Sequence, residues 1–302
     1  MTRFYFALLL AGLAQAAGNP FAGRWDITIK TADGTSPRWM ELVDNGGDLK
    51  VRVQPSGGAV RDISGAKTDG SKLLLTVSDA TAKQPAVTWE LTPNGDTFSG
   101  IQKAGERTAE IAGVRAPSLD RKAPKAWSAP ETLFNGNDLS GWEPMGTRAS
   151  HWMVKNGELF NEEKGANIKT TRRFDDFKLH IEVNCPEHCN SGIYLRGRYE
   201  IQVGTEGRTN MKHEMGAIYG YVAPAVDMPP GSGEWQVFDI TLVGRHVTVV
   251  RNGTKIHDNE EIPGITGGAM DSNEAEPGPI FLQGDHTGGL RYRNITIATA
   301  KR

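Results

Sequence analysis

Asn190-Ser191-Gly192-Ile193-Tyr194-Leu195-Arg196-Gly197-Arg198-Tyr199-Glu200-Ile201-Gln202-Val203 alternates like a β-strand. Side chains on a strand point in turn to opposite faces. One face carries Ile193, Leu195, Tyr199, Ile201 and Val203. The other carries Tyr194, Arg196, Arg198, Glu200 and Gln202. Two guanidiniums, a carboxylate, an amide and a phenol make a poor core. They make a good floor for a polyhydroxylated ligand, which is held by bidentate polar groups and flat aromatic faces. A solvated sheet face with cross-strand ion pairs is the plainer alternative.

Working outward, the 302 residues suit about two domains. The 36 glycines and the lack of long helix-period patterns favour an all-β chain rich in turns. The formal charge of −2 and the absence of any basic block argue against nucleic-acid binding. Residues 1–17 read as a signal peptide. Arg3 gives the positive region, Phe4 to Leu13 the apolar one, and Ala14-Gln15-Ala16 a small-x-small cleavage site. The apolar stretch is too short for a membrane span, and no other run is long enough. Export to the periplasm or the extracellular space is the expectation.

Residues 18–116 carry short alternating runs separated by Asn45-Gly46-Gly47, Asp69-Gly70 and Asn94-Gly95. About eight hairpin-joined strands predict a small up-and-down barrel. The opening Gly23-Arg24-Trp25 resembles the start of lipocalin-like barrels. An accessory or ligand-binding role is one reading of this unit, and packing against the second domain is the plainer one. Residues 117–130, with Pro117, Pro124 and Pro130, read as an extended linker. Residues 131–300 hold stronger strands, among them Lys178 to Asn184 and Trp235 to Val243. The Asn252-Gly253 pair marks a two-residue hairpin. These patterns predict a two-sheet jelly-roll sandwich whose last strands pair with strands near its start. Cys185 and Cys189 are expected to form a disulfide that pins the turn before Asn190. A metal site with His188 is the minor alternative.

The second unit also carries an ordered set of motifs. They begin with Leu133-Phe134-Asn135-Gly136-Asn137-Asp138-Leu139-Ser140-Gly141-Trp142 and His151-Trp152-Met153-Val154-Lys155-Asn156-Gly157-Glu158-Leu159. The Asn190 to Val203 stretch follows, then Gly216-Ala217-Ile218-Tyr219-Gly220. Gly278-Pro279-Ile280-Phe281-Leu282-Gln283-Gly284-Asp285-His286 comes last. This half of the chain resembles the 3-keto-disaccharide hydrolase domain family. The resemblance implies a concanavalin-like lectin/glucanase jelly roll with a carbohydrate on its concave sheet. It also implies cleavage of glycosides already oxidised to a ketone at C3. A separate sugar 3-oxidoreductase would have to supply that ketone, because the chain has no redox cofactor motif. The sequence itself requires no cofactor, and a divalent metal stays open.

Such chemistry needs a base, a stabiliser for an enolate oxygen and an acid for the leaving oxygen. Glu200 and His286 are the catalytic candidates. Arg198 and Gln202 flank Glu200 at strand spacing, and nearby arginines would keep its carboxylate ionised, as suits a base or a metal ligand better than an acid. His286 sits among glycines after a strand and can exchange protons near neutral pH. Arg196, Arg198, Gln202, Tyr219, Gln283 and Asp285 are the substrate-binding candidates. Asp285 could also orient His286, or merely form a turn. His213 and Glu214 read as rim residues, and His180 with Glu182 as a solvated face. The leading expectation is an exported enzyme acting on 3-keto-glycosides by elimination or hydrolysis. A non-catalytic carbohydrate-binding module and a surface-recruiting interaction protein are the competing classes.

Overall fold

A computed structural model describes residues 18–32, 34–55, 57–79, 81–205 and 210–301. The signal-peptide expectation falls on residues outside this set. The fold is all-β, with one single-turn 3-10 helix at Met211–His213 among the described residues.

The N-terminal domain contains nine strands among its described residues: β1 (Gly23–Thr31), β2 (Gly34–Asn45), β3 (Asp48–Gln54), β4 (Arg61–Ile63), β5 (Lys67–Asp69), β6 (Lys72–Ser78), β7 (Val87–Asn94), β8 (Thr97–Ala104) and β9 (Arg107–Arg115). They form one antiparallel sheet in the order β4-β3-β2-β1-β9-β8-β7-β6-β5. The sheet curls until its ends meet, where the Thr76 N–H donates to Gly65 O at 3.3 Å. Seven of these strands correspond to the alternating runs of the sequence. The short β4 and β5 at the seam carry too little pattern to be read. Inside, Trp25 packs on Phe98 with ring centroids 5.0 Å apart. The Trp25 indole N–H is satisfied by Phe21 O.

The second domain comprises β10 (Ala126–Trp127), β11 (Glu131–Thr132), β12 (Trp142–Pro144), β13 (Trp152–Lys155), β14 (Glu158–Asn161), β15 (Ile168–Thr170), β16 (Phe177–Asn184), β17 (Asn190–Leu195), β18 (Tyr199–Gly204), β19 (Trp235–Val243), β20 (His246–Arg251), β21 (Thr254–Glu261), β22 (Phe281–Leu282) and β23 (Leu290–Lys301). It is a two-sheet sandwich. One sheet runs β13-β14-β23-β16-β19-β20-β21, with β10 and β11 also on β23. The other runs β12-β15-β22-β17-β18. Apolar side chains from both inner faces form a single core that includes Leu179, Ile181, Ile193, Ile201, Ile240 and Leu282. The β20–β21 turn uses Asn252 (φ 49°) and Gly253 (φ 78°), as a two-residue hairpin requires. The last strand, β23, pairs with β10, β11, β14 and β16 near the start of the domain.

The stretch read as a linker is a fitted strap. Leu119 is buried, Pro117 O accepts from the Arg245 guanidinium at 3.0 Å, and Ala126 and Trp127 join the sheet edge. Among the described residues, no helix is long and apolar enough to cross a membrane. Cys185 and Cys189 are bonded to each other and buried.

The two domains share buried surface. Met40 and Leu42 of β2 face their own core, whereas Trp39 next to them enters the core of the second domain. Its ring stands edge-on to Tyr221, 5.8 Å between centroids. Nearby, Asp26 of β1 is hydrogen-bonded to Glu274, which also accepts from the Tyr199 hydroxyl at 2.6 Å. Burial, reinforced by the Glu274 charge, pushes the Asp26 carboxyl up to about 10. The folded chain therefore keeps a proton that the unfolded chain gives up near pH ~4, so folding stability declines as pH rises from there toward about 10. Replacing Asp26 with Asn keeps the shape without the titration. Urea denaturation at about pH 6 and pH 9 should show a smaller loss of stability for Asp26→Asn than for the wild type. An equal loss would place the sensitivity elsewhere.

Candidate active site

The motif that opens the sequence reading is a hairpin rather than one strand. β17 and β18 pair with Tyr194 opposite Glu200, Gly192 opposite Gln202 and Ile193 opposite Ile201. Opposed residues share a face. Tyr194, Glu200 and Gln202 therefore lie together on one side. Ile193, Leu195, Ile201 and Val203 fill the core on the other. The turn is Arg196-Gly197-Arg198, with Arg196 at φ 51° and Gly197 at φ 70°.

That turn carries both guanidiniums away from the polar face. Arg196 donates to Glu274 O at 2.9 Å and to the Tyr199 hydroxyl at 3.0 Å, and it meets Asp175 at 3.3 Å. Arg198 donates to Asp271 Oδ1 at 2.6 Å and to Glu276 O at 2.8 Å. Both are fully buried and neither lines the cavity described next. The expectation that they bind substrate or hold Glu200 ionised does not fit this arrangement. Their role here is to tie the hairpin turn to the 271–276 segment.

A cavity of about 260 Å³ lies over the polar face. Asn167, Asn190, Tyr194, Glu200, Gln202, Tyr219, Gln283, Asp285 and His286 line it, with Gly57, Gly58, Gly267 and Gly268. It thus brings together Glu200, His286, Gln202, Tyr219, Gln283 and Asp285, residues from three separate stretches of the chain. Its size falls below the ~300–1,000 Å³ of pockets for drug-sized ligands, as suits roughly one or two sugar rings.

Glu200 is the most perturbed carboxyl in the cavity. Burial pushes it up to about 8, against the opposing pull of the Tyr194 hydrogen bond and the His286 charge. The carboxyl is therefore protonated at neutral pH, the reverse of what flanking arginines would impose. Tyr194 donates to Glu200 Oε2 at 2.7 Å, and its ring stacks on Phe281 at 3.8 Å. The Glu200 backbone N–H donates to Thr266 Oγ1 at 3.0 Å. The carboxyl folds over Gly192, where a Cβ would come within 2.4 Å of Oε1. Gly192 is there because any side chain would expel the acid.

His286 Nδ1 lies 2.7 Å from Asp285 Oδ1. Burial opposes ionisation of Asp285, but the His286 hydrogen bond and charge, helped by Arg148, hold it below the usual carboxylate range. An ionised Asp285 accepts from Nδ1–H and so orients the ring. Gln202 and Gln283 are buried, and the Oε1 of each has no hydrogen-bond partner among the described residues. Such acceptors suit the O–H donors of a polyol. The Tyr219 ring stacks with His213 at 4.8 Å, which places the rim histidine behind it.

His180 and Glu182 lie on the other sheet, engaged with Asp239 and with Arg293 and Asn294. No group of three or more His, Cys, Asp and Glu side chains among the described residues is arranged to hold a metal ion. Sequence reasoning passed over Asn167, Asn190 and the four glycines. The sequence pattern puts Tyr194 in the polar floor for a ligand but does not mark it as a catalytic or binding candidate.

Residues 129–298 match the family model of the 3-keto-alpha-glucoside-1,2-lyase-like domain. The chain belongs to this family. No relative of curated function matches it. Among solved structures, one candidate glycosyl hydrolase from Parabacteroides distasonis is 29% identical. The match covers 59% of this chain and 92% of that one, with a TM-score of 0.48. A second from the same organism is 18% identical over 57% of this chain and 94% of that one, with a TM-score of 0.46. A Trypanosoma rangeli sialidase is 9% identical over 92% of this chain and 64% of that one, with a TM-score of 0.35. The fold assignment rests on the strand order itself rather than on these likenesses.

Loss of the Tyr194 hydroxyl removes the hydrogen bond that favours the ionised form of Glu200. The Tyr194→Phe variant should therefore move the Glu200 titration above about 8, read by carbon-13 NMR of labelled carboxyls. An unmoved titration would show that Tyr194 does not act on the acid, and a downward move that its hydroxyl does not favour the ionised form.

Proposed function

We propose that this domain cleaves 3-keto-glycosides by acid/base elimination. Two unpartnered amide acceptors beside a neutral buried carboxyl and an Asp-oriented imidazole carry the reading. Membership of the family supports the ketone as substrate. A C3 ketone acidifies the C2 hydrogen. His286 takes that proton, and the C2–H electron pair passes into the enolate. Expulsion of the C1 substituent restores the C3 carbonyl and leaves a C1–C2 double bond. Glu200 supplies the proton that the departing oxygen needs. When water adds back at C1, the ionised Glu200 takes its proton and protonated His286 returns one to C2. The net result is then hydrolysis.

This assignment inverts the role first expected of Glu200. A carboxyl that titrates at about 8 is a proton donor at neutral pH, whereas an ionised carboxylate would be a base. The leader-like Arg3 and Phe4 to Leu13 support export to the periplasm or beyond. A sugar 3-oxidoreductase would act upstream, since the substrate must arrive oxidised.

The test compares aglycone release from a 3-keto-glucoside and from its unoxidised parent, with and without a chelator. Release from the ketone alone is expected, with loss of turnover of ~10²–10⁴-fold in Glu200→Gln and in His286→Ala. Activity should fall as pH rises through about 8, because Glu200 then loses the proton it donates. Equal release from the parent sugar would overturn the elimination route. Binding of sugar with no release from either would favour a carbohydrate-binding module.

A further inference from the structure

One wall of the cavity is made by glycines from two domains. Gly57 and Gly58 follow β3 of the N-terminal domain, and Gly267 and Gly268 belong to the second. The Gly57 N–H donates to Gly267 O at 3.1 Å. A Cβ on Gly267 would lie 2.3 Å from Gly58 O, so the two backbones touch. The buried Gln54 amide holds the turn from within, donating to Pro55 O at 2.7 Å and to Gly58 O at 3.0 Å. Next to it, Ala59 presses on Gly220, whose neighbour Tyr219 lines the cavity. Trp39 packs against Gly264, and the Tyr221 hydroxyl donates to Ile265 O at 3.0 Å. The N-terminal domain thus holds the 264–268 segment at two points. That segment places Gly268 against the Tyr194 hydroxyl and Thr266 on the Glu200 backbone.

We propose that the N-terminal domain is a working part of the cleft, its Gly57–Gly58 turn being the wall that limits the size of the glycoside admitted. This rests on the functional reading above. The wall carries no side chain, so a sugar ring can approach the backbone closely. It also closes that side of the cavity to a continuing glycan.

Two substitutions in the full chain test it. Gly58 sits at φ +74°, and nothing lies within 4 Å of the place a Cβ would take, so Asn fits the backbone and projects into open space. In Gly58→Asn, kcat/KM for a 3-keto-disaccharide should fall about tenfold or more, the scale of a lost group-sized fit. Methyl 3-keto-glucoside should be affected much less. A parallel fall for both substrates, or no fall, overturns the wall. If the wild type cleaves neither substrate, the functional reading fails, and a second variant still tests the wall. Gly267→Ala drives a Cβ into the Gly58 backbone and forces the Gly57–Gly58 turn off its seat, while the chain keeps Tyr194, Asp285 and His286, the groups facing Glu200. Water should then reach Glu200 and draw its titration down from about 8 toward the ordinary carboxylate range. An unmoved titration in a folded variant shows that the turn does not shape the cavity and overturns the proposal.

Discussion

The site depends on burying one carboxyl. Glu200 is neutral because burial penalises its charge, and several features cooperate to bury it. Gly192 leaves the space into which the carboxyl folds. Tyr194, stacked on Phe281, closes one side, and the 264–268 segment closes another. The Tyr194 hydrogen bond to the carboxyl favours ionisation, yet burial outweighs it. An acid held in this way shares its cavity with a histidine whose partner Asp285 is kept ionised. Two carboxyls, Glu200 held neutral and Asp285 held ionised, thus face one small space. That division of labour is what acid/base chemistry at neutral pH requires.

Much of this was legible in the alternation of Asn190 to Val203, for a geometric reason. A turn of three residues between Leu195 and Tyr199 leaves odd and even positions on the same faces in both strands. The hairpin therefore reads as one continuous strand, and Tyr194, Glu200 and Gln202 were placed together correctly. Arg196 and Arg198 share their parity but occupy the turn, where face no longer follows position. Their diversion to Asp175 and Asp271 depends on segments far away in sequence, which no local pattern reveals. The same diversion reversed the expected charge state of Glu200. Gly57 and Gly58 were hidden for a different reason. A glycine that lines a cavity looks like a glycine that makes a turn, because what it contributes is the absence of a side chain.

The N-terminal domain is built around a strand with two allegiances. Met40 and Leu42 belong to its own core, and Trp39 belongs to its neighbour's. The acidic pair of Asp26 and Glu274 adds a polar tie at the same junction, with Tyr199 and Arg245 completing it. Tyr199 opens the strand that bears Glu200. The junction between domains and the floor of the cavity are therefore one connected piece of structure.

The position of β23 has a consequence for synthesis. Leu290–Lys301 lies between β14 and β16 and also holds β10 and β11, so it is the seam of the larger sheet. The second domain cannot close until that segment has left the ribosome. The N-terminal sheet uses only residues made much earlier, and domains fold in the order of their emergence. Until the second domain closes, Trp39 has no core to enter, and its indole is exposed at the surface of a sheet that is otherwise complete.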